Sequence, residues 1–233
     1  MNSLTTHIQL PLTFNESRLL EDLKKLQDFK WVPHYNTYGY TGSWTSAALV
    51  SSGGKADAIY ALPDEKAPLL ETEILEACPY FKEVLQNLQF PLASARLLCL
   101  APGAAIKPHR DHCLGYEDGV FRIHIPIQTN TEVEFILNKE RINMKPGECW
   151  YIDANFEHSV ANRGTEERIH LVIDGERNAW TDRLFFSVAA EDSFKIHETK
   201  TLPPEQQERM VKELERMNSP VAKQLLEGLK KTV

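Results

Sequence analysis

The feature that most constrains the fold of this 233-residue chain is a series of short apolar segments between Ala93 and Asp174, each closed by turn residues. On an extended chain, residues two apart share a face, so such a segment buries one face and presents the other. Ser94–Leu100 ends at Pro102-Gly103, Phe121–Thr129 follows a polar loop, and Val133–Leu137 comes next. Lys145-Pro146-Gly147 has the residues of a type II turn leading into Glu148–Ile152, and Asn162-Arg163-Gly164 precedes Arg168–Ile173. Strands this short, at this spacing, predict a mainly β core: a barrel or a double-sheet jelly roll.

Helices flank that core. Asn15 is placed to cap a helix, Phe14 and Leu19 stand at the two positions of a hydrophobic staple, and Leu19, Leu20, Leu23 and Leu26 form an apolar stripe. A second helix is expected over Pro79–Leu88 and a strand over Trp44–Val50, followed by a flexible Ser51-Ser52-Gly53-Gly54. Beyond Thr181 the pattern is helical again. Met210, Val211, Leu214 and Met217 keep helical spacing, and Ser219-Pro220 is a cap and first-turn pair for a last helix carrying Val221, Leu225 and Leu229. The expected organisation is a β domain with N-terminal additions over residues 1–180 and a helical extension over 181–233.

With 26 basic and 33 acidic residues the net charge is −7, which lacks the electrostatic footprint of a nucleic-acid or anionic-membrane binder. Met1–Leu12 has no basic start and apolar run, and no uncharged apolar stretch approaches the roughly 18 residues of a membrane span. The four cysteines (78, 99, 113 and 149) form no CxxC pair; reduced thiols in a cytoplasmic protein are expected, with Cys99 and Cys149 in the core.

The chemistry centres on Pro108-His109-Arg110-Asp111-His112. In His-x-Asp on an extended segment, an imidazole and a carboxylate project to the same side and can take adjacent positions on one metal. His158, 47 residues beyond Asp111, can supply a second imidazole. Two histidines and one carboxylate leave three positions of an octahedron open, the arrangement of iron(II) oxygenases. By itself His-x-Asp is a weak signal in a chain with eight histidines and 33 acidic residues, and a solvated loop reads the same way. Two strands add to it. Arg122 and His124 alternate with Phe121, Ile123, Ile125 and Ile127, and Arg168 and His170 alternate with Ile169, Leu171 and Ile173. Either the polar faces meet water, or the apolar faces meet the helices and the arginines point into the barrel mouth. In the second case their forked donors suit a dicarboxylate such as 2-oxoglutarate.

These residues resemble the aspartyl/asparaginyl β-hydroxylase superfamily, which includes bacterial proline hydroxylases. The resemblance rests on Pro108-His109-Arg110-Asp111, Phe121-Arg122-Ile123-His124, Lys145-Pro146-Gly147-Glu148 with Trp150-Tyr151, His158-Ser159-Val160-Ala161-Asn162 and Arg168-Ile169-His170-Leu171. It spans about residues 94 to 180 and continues more faintly in Asn36-Thr37 and Gly42-Ser43-Trp44. It implies a double-stranded β-helix, iron(II), 2-oxoglutarate and O2, and hydroxylation of an unactivated carbon. By position, His109, Asp111 and His158 would be the ligands. Arg168 would bind the distal carboxylate of 2-oxoglutarate, and Arg122 with His124 the end that chelates iron. The animal protein hydroxylases of this superfamily lack the carboxylate ligand, so Asp111 places the chain nearer the bacterial enzymes acting on small molecules; it also argues against halogenation, which needs that position vacant.

The expected activity is therefore a 2-oxoglutarate-dependent hydroxylase of a free amino acid or related small molecule, monomeric or homodimeric. Rival readings are a jelly-roll sensor binding metal or ligand without turnover, a hydroxylase of peptide or protein residues, and a cosubstrate-free isomerase or dioxygenase. The last leaves Arg122 and Arg168 unexplained. His112 competes with His109, His170 reads as structural or adjacent to the site, and His7, His34 and His197 read as surface or satisfied polar residues. Trp150 and Tyr151 read as core, while Trp44, Ser46 and Ser52 lie where a substrate-facing strand would run.

Overall fold

The computed structural model describes residues 4–59, 67–194 and 211. The elements below lie in the first of two compact units, Met1–Lys195. The chain begins with β1 (His7–Thr13), α1 (Glu16–Lys24), β2 (Val32–Pro33), β3 (Tyr40–Thr41) and β4 (Trp44–Ser52). Then come β5 (Leu69–Glu71), α2 (Glu73–Glu76), α3 (Pro79–Asn87), β6 (Leu92–Leu100), β7 (Ala105–His109) and β8 (Val120–Gln128). The remainder is β9 (Val133–Leu137), β10 (Glu140–Ile142), β11 (Glu148–Ile152), β12 (His158–Asn162), β13 (Arg168–Glu176) and α4 (Ala179–Phe186).

The strands form two antiparallel sheets. The larger runs β1-β11-β8-β13-β6-β4-β2 with β5 beside β4, and the smaller runs β10-β9-β12-β7-β3. Leu98, Leu100, Ile152 and Val172 from the larger sheet pack with Ile106, Phe135, Leu137 and Val160 from the smaller, so the inner faces close on each other as a double-stranded β-helix. The outer face of the larger sheet carries Ala95, Leu97, Cys99, Phe121, Ile123, Ile125, Ile169, Leu171 and Ile173. These pack with Leu19 of α1, Phe81 and Val84 of α3 and Phe185 of α4. Each fully buried side chain of this size contributes about 1.5–3 kcal/mol.

The expected strands and the helices at Asn15 and Pro79 are present. Asn15 Oδ1 accepts the Arg18 N–H at 3.0 Å, as a cap does. The Lys145 turn is also present: Gly147 has φ +76°, where a Cβ would lie 2.4 Å from the Phe14 carbonyl oxygen. Two features differ from expectation. Ser51 and Ser52 continue β4 instead of loosening it. His7–Thr13, unassigned from sequence, is an edge strand paired with β11. His158, unassigned as well, opens β12. The helical spacing from Met210 to Leu229 falls, Val211 apart, outside the described residues, as does His197.

The N-terminal end of α3 has no side-chain cap of its own. Instead Asp22 of α1, only 2% exposed, accepts the N–H groups of Tyr80 at 2.6 Å and Phe81 at 3.0 Å. Asp22→Ala leaves two buried donors without a partner and is expected to cost about 2–3 kcal/mol, with Asp22→Asn losing less. Urea unfolding followed by circular dichroism measures this. A loss under about 0.5 kcal/mol for the alanine variant would mean that solvent caps α3 equally well.

Candidate metal centre and active site

Strands β7 and β12 pair antiparallel with His109 directly opposite His158, which sets their ring centroids 4.1 Å apart. Asp111 lies just past the end of β7, held by its backbone N–H to the Ala154 carbonyl at 2.9 Å. One donor atom from each of His109, Asp111 and His158 lies within 4.8 Å of the others, a set able to hold a metal ion. His109 Nδ1 is 2.8 Å from the Lys107 carbonyl and His158 Nδ1 is 3.0 Å from the Phe156 carbonyl. A carbonyl only accepts, so both imidazoles carry the proton on Nδ1 and leave Nε2 for a ligand bond.

The carboxylate is oriented as well. Asp111 Oδ1 is 3.9 Å from His109 Nε2, while Oδ2 accepts from Arg122 Nη1 at 2.5 Å. Burial alone would raise the Asp111 carboxyl, but Arg122, His158 and His109 outweigh it and hold it well below the usual carboxylate range. Burial, with His109 adding, pushes His158 down to about 4. Both ligands are therefore in the deprotonated form that a metal needs at neutral pH.

The alternation on β8 and β13 resolves as the inward reading: the isoleucines face the helices, and Arg122, His124, Arg168 and His170 are buried inside the barrel. Arg168, 2% exposed, gives Nη2 to His170 Nδ1 at 2.8 Å, and its Nε has no partner among the described residues. Burial pushes its guanidinium down to about 9. It borders a cavity of about 540 Å³ lined also by His170, Val133, Phe135, Arg141 and Met144. Phe135 joins this cavity to the metal cluster: its ring stacks 6.4 Å from His158, and the Arg168 Cζ lies 5.8 Å from its centroid. His124 Nδ1 is also buried without a partner, and burial with Arg168 pushes both His124 and His170 well below the ordinary histidine range.

Sequence reasoning missed two residues here. Asp174, fully buried, accepts from Arg122 Nε at 2.7 Å, Arg96 Nη2 at 2.6 Å and Ser94 Oγ at 2.8 Å. Arg96 is itself 3% exposed. The available signal was a charged residue at an inner position of a strand whose other positions are small or apolar. Of the two readings given for His34, surface or satisfied polar residue, the structure shows the buried one: it is 8% exposed, accepts the Asn36 N–H at 3.4 Å and stacks on Trp44 at 3.6 Å. Burial, followed by Arg96, pushes it down to about 3. Trp44 and Ser46 are buried as expected of an inward strand, with Trp44 Nε1 and Ser46 Oγ unpartnered. Ser52 is half-buried at the end of β4. His112 is exposed and His7 half-buried against Trp150. Tyr151 is wholly buried in the outer core, and Trp150 packs against the inner one.

The sequence model of the aspartyl/asparaginyl beta-hydroxylase family matches residues 13–178. The chain belongs to that family. It is 27% identical over 188 residues to the L-proline cis-4-hydroxylase of Rhizobium meliloti (strain 1021), covering 79% of this chain and 66% of that protein. It is 28% identical over 178 residues to L-proline cis-3-hydroxylase 1 of a Streptomyces species, covering 73% and 60%. The chain thus matches less than two thirds of the length of either relative. Among solved structures, an oxidoreductase of the 2OG-Fe(II) oxygenase family from Burkholderia pseudomallei superposes with a TM-score of 0.49 at 12% identity, over 74% of this chain and 86% of that one.

The buried histidines make metal-free protein acid-sensitive. His34, His124, His158 and His170 all have depressed pKa values in the fold, so unfolding takes up protons below about 6.5. Their contribution is fully present above that pH and is lost as pH falls toward 4. For His34 and His158 the loss at pH 5 is about 2 kcal/mol each. Asp153 acts oppositely: burial, with Glu117 and Asp118 adding, pushes it up to about 7, so it favours the fold as pH falls through that value. Urea midpoints in the presence of a chelator should therefore drop markedly between pH 7.5 and 5. Midpoints that stay level would show that these imidazoles are solvated or charged in the native state.

Proposed function

We propose that this chain is an iron(II)- and 2-oxoglutarate-dependent dioxygenase that hydroxylates an unactivated carbon of a free amino acid. The reading is carried by one observation: a His-Asp-His cluster with free Nε2 atoms shares the barrel interior with Arg168, a buried guanidinium lacking a partner at Nε. An unpaired buried charge is costly, and a carboxylate is its natural counterpart. The relatives named as L-proline hydroxylases support a free amino acid as substrate.

In this reading His109, Asp111 and His158 would hold iron(II). Once bound, the metal would supply, with 2-oxoglutarate and O2, the oxidising power for a hydroxylation whose other products are succinate and CO2. The remaining roles belong to the chain. Arg122 fixes Asp111 through Oδ2 and leaves Oδ1 turned toward the histidines. Arg168 would bind the distal carboxylate of 2-oxoglutarate, and Arg122 with His124 its other end. Leu98, Phe135, Ile152 and Val172 exclude water around them. No helix among the described residues is long and apolar enough to cross a membrane. We place the enzyme in the cytoplasm, as a monomer or homodimer, with a small molecule and not nucleic acid as its partner, and a β domain ending near residue 180 followed by a helical extension.

Anaerobic reconstitution followed by metal analysis and succinate detection tests the centre. Asp111→Ala and His158→Ala should retain under about a tenth of the iron and form no succinate; near-normal iron in either variant would remove that residue from the centre. Arg168→Ala should keep its iron while its KM for 2-oxoglutarate rises about 30-fold or more, the effect of losing a buried charge-assisted pair. An unchanged KM reassigns that arginine. Mass spectrometry of an amino-acid panel should reveal a product heavier by one oxygen, about 16 Da. Iron and 2-oxoglutarate binding without decarboxylation across the panel would instead favour a sensor.

A further inference from the structure

The proposed centre accounts for Arg168 and Arg122 but leaves Arg96 without a function. Arg96 lies on the inner face of β6, whose neighbouring inner positions are Ser94, Leu98 and Leu100. Nη2 binds Asp174 at 2.6 Å and Nη1 the Ile59 carbonyl at 3.0 Å. Nε is buried and unpartnered among the described residues. Of five N–H donors, two are spoken for. A residue serving only to tie Ile59 to Asp174 needs no free, dehydrated Nε–H.

Its surroundings point the same way. Arg96 stands opposite Ala48 on β4 and Val172 on β13, which have short side chains. Two further donors on the adjacent β4, Ser46 Oγ and Trp44 Nε1, are also buried without partners among the described residues. Ser46 lies two and Trp44 four residues along β4 from Ala48, so these donors line one inner stretch of two neighbouring strands, with the Arg96 guanidinium at one end of it. Charge indicates what would answer them. Arg96, Asp174, Arg122 and Asp111 form one continuous chain of ion pairs. Their four charges cancel, but a divalent cation on Asp111 leaves the chain positive, with Arg96 at the end away from the metal. The Arg168 cavity provides for 2-oxoglutarate on the side of β9, β10 and β13; Arg96 belongs to the β4–β6 side.

We propose that Arg96 binds the α-carboxylate of the free amino-acid substrate, and thereby selects free amino acids over internal residues of peptides. The assignment rests on the amino-acid reading above. It makes Arg96 a specificity determinant: a carboxylate converted to an amide loses the anion that the guanidinium answers, as happens at every internal peptide residue.

The test is equilibrium binding to the full chain loaded anaerobically with iron(II) and 2-oxoglutarate, using calorimetry with tryptophan fluorescence alongside. The probes are L-proline and the other protein amino acids, each against its primary amide. Wild type should bind its preferred acid about 100-fold more tightly than the amide. Arg96→Gln should weaken the acid about 100-fold and the amide less than threefold, abolishing the discrimination. Iron content and the 2-oxoglutarate Kd should stay within threefold, and Arg96→Lys should recover part of the preference. Equal binding of acid and amide by wild type overturns the proposal without any variant, so a failure of Arg96→Gln to fold does not protect it. Discrimination that survives in Arg96→Gln, or a parallel loss of acid and amide, also overturns it while leaving the amino-acid reading intact. If wild type binds 2-oxoglutarate but no free amino acid, that reading itself falls and takes this assignment with it.

Discussion

A carboxylate with no solvent contact holds the interior of this barrel together. Asp174 accepts from Ser94, Arg96 and Arg122 within 2.6–2.8 Å, and it is the group that lets two guanidiniums share a dry space. Burial would raise its carboxyl, but Arg122 and Arg96 outweigh that and keep it below the ordinary range. Removing one member of such a network strands the others, a loss of about 3–5 kcal/mol for a buried pair. The metal cluster depends on it at one remove. Arg122, gripped by Asp174 through Nε and Nη2, has its Nη1 aimed at Asp111.

That dependence is built into strand register. Asp174 faces Arg122 across β13 and β8, and a slip of β13 by one residue would turn Asp174 toward the helices and part the pair. The next residue, Gly175, helps to pin it. A Cβ there would lie 2.2 Å from the Phe90 ring, which packs edge-on against Phe121 at 5.0 Å. The backbone of β13 approaches an aromatic so closely that only glycine fits, so the outer core and the inner charges share one alignment. In the same way, the pairing of His109 with His158 comes from the β7–β12 register and not from a loop.

The sequence made the periodic parts legible. Alternation alone separates the faces of β8 and β13, because apolar residues at every second position admit few other arrangements. It does not say which face meets the helices, and that choice decides whether Arg122 and Arg168 are solvated or part of the site. Asp174 and Arg96 stayed hidden because a single charged residue in a strand marks an inner position without naming its partner. They gain meaning only from partners 78 and 52 positions away. Sequence left His34 open between surface and satisfied polar for a related reason: its burial comes from stacking on Trp44, beside the β2–β4 ladder, and no local pattern encodes that contact. The edge strand His7–Thr13 has no turn signal preceding it and is defined by its pairing with β11.

The choice of arginine at all three inner positions follows from the environment. A lysine in the same setting meets the same dehydration with a lower intrinsic pKa, a compact charge and no planar fork. Arg168 shows the size of that burden, since burial alone brings it to about 9, yet it stays charged at neutral pH. A lysine starts nearer neutrality, at about 10.4, so the same dehydration brings it closer to losing its charge before a dicarboxylate arrives. Arg96 and Arg122 face the further demand of answering one carboxylate while keeping N–H groups for another, which five fixed donors allow and a single ammonium does poorly. Charge that survives burial and donors that can be divided between partners are what place guanidiniums inside a barrel lined mainly by Leu, Ile, Val and Phe.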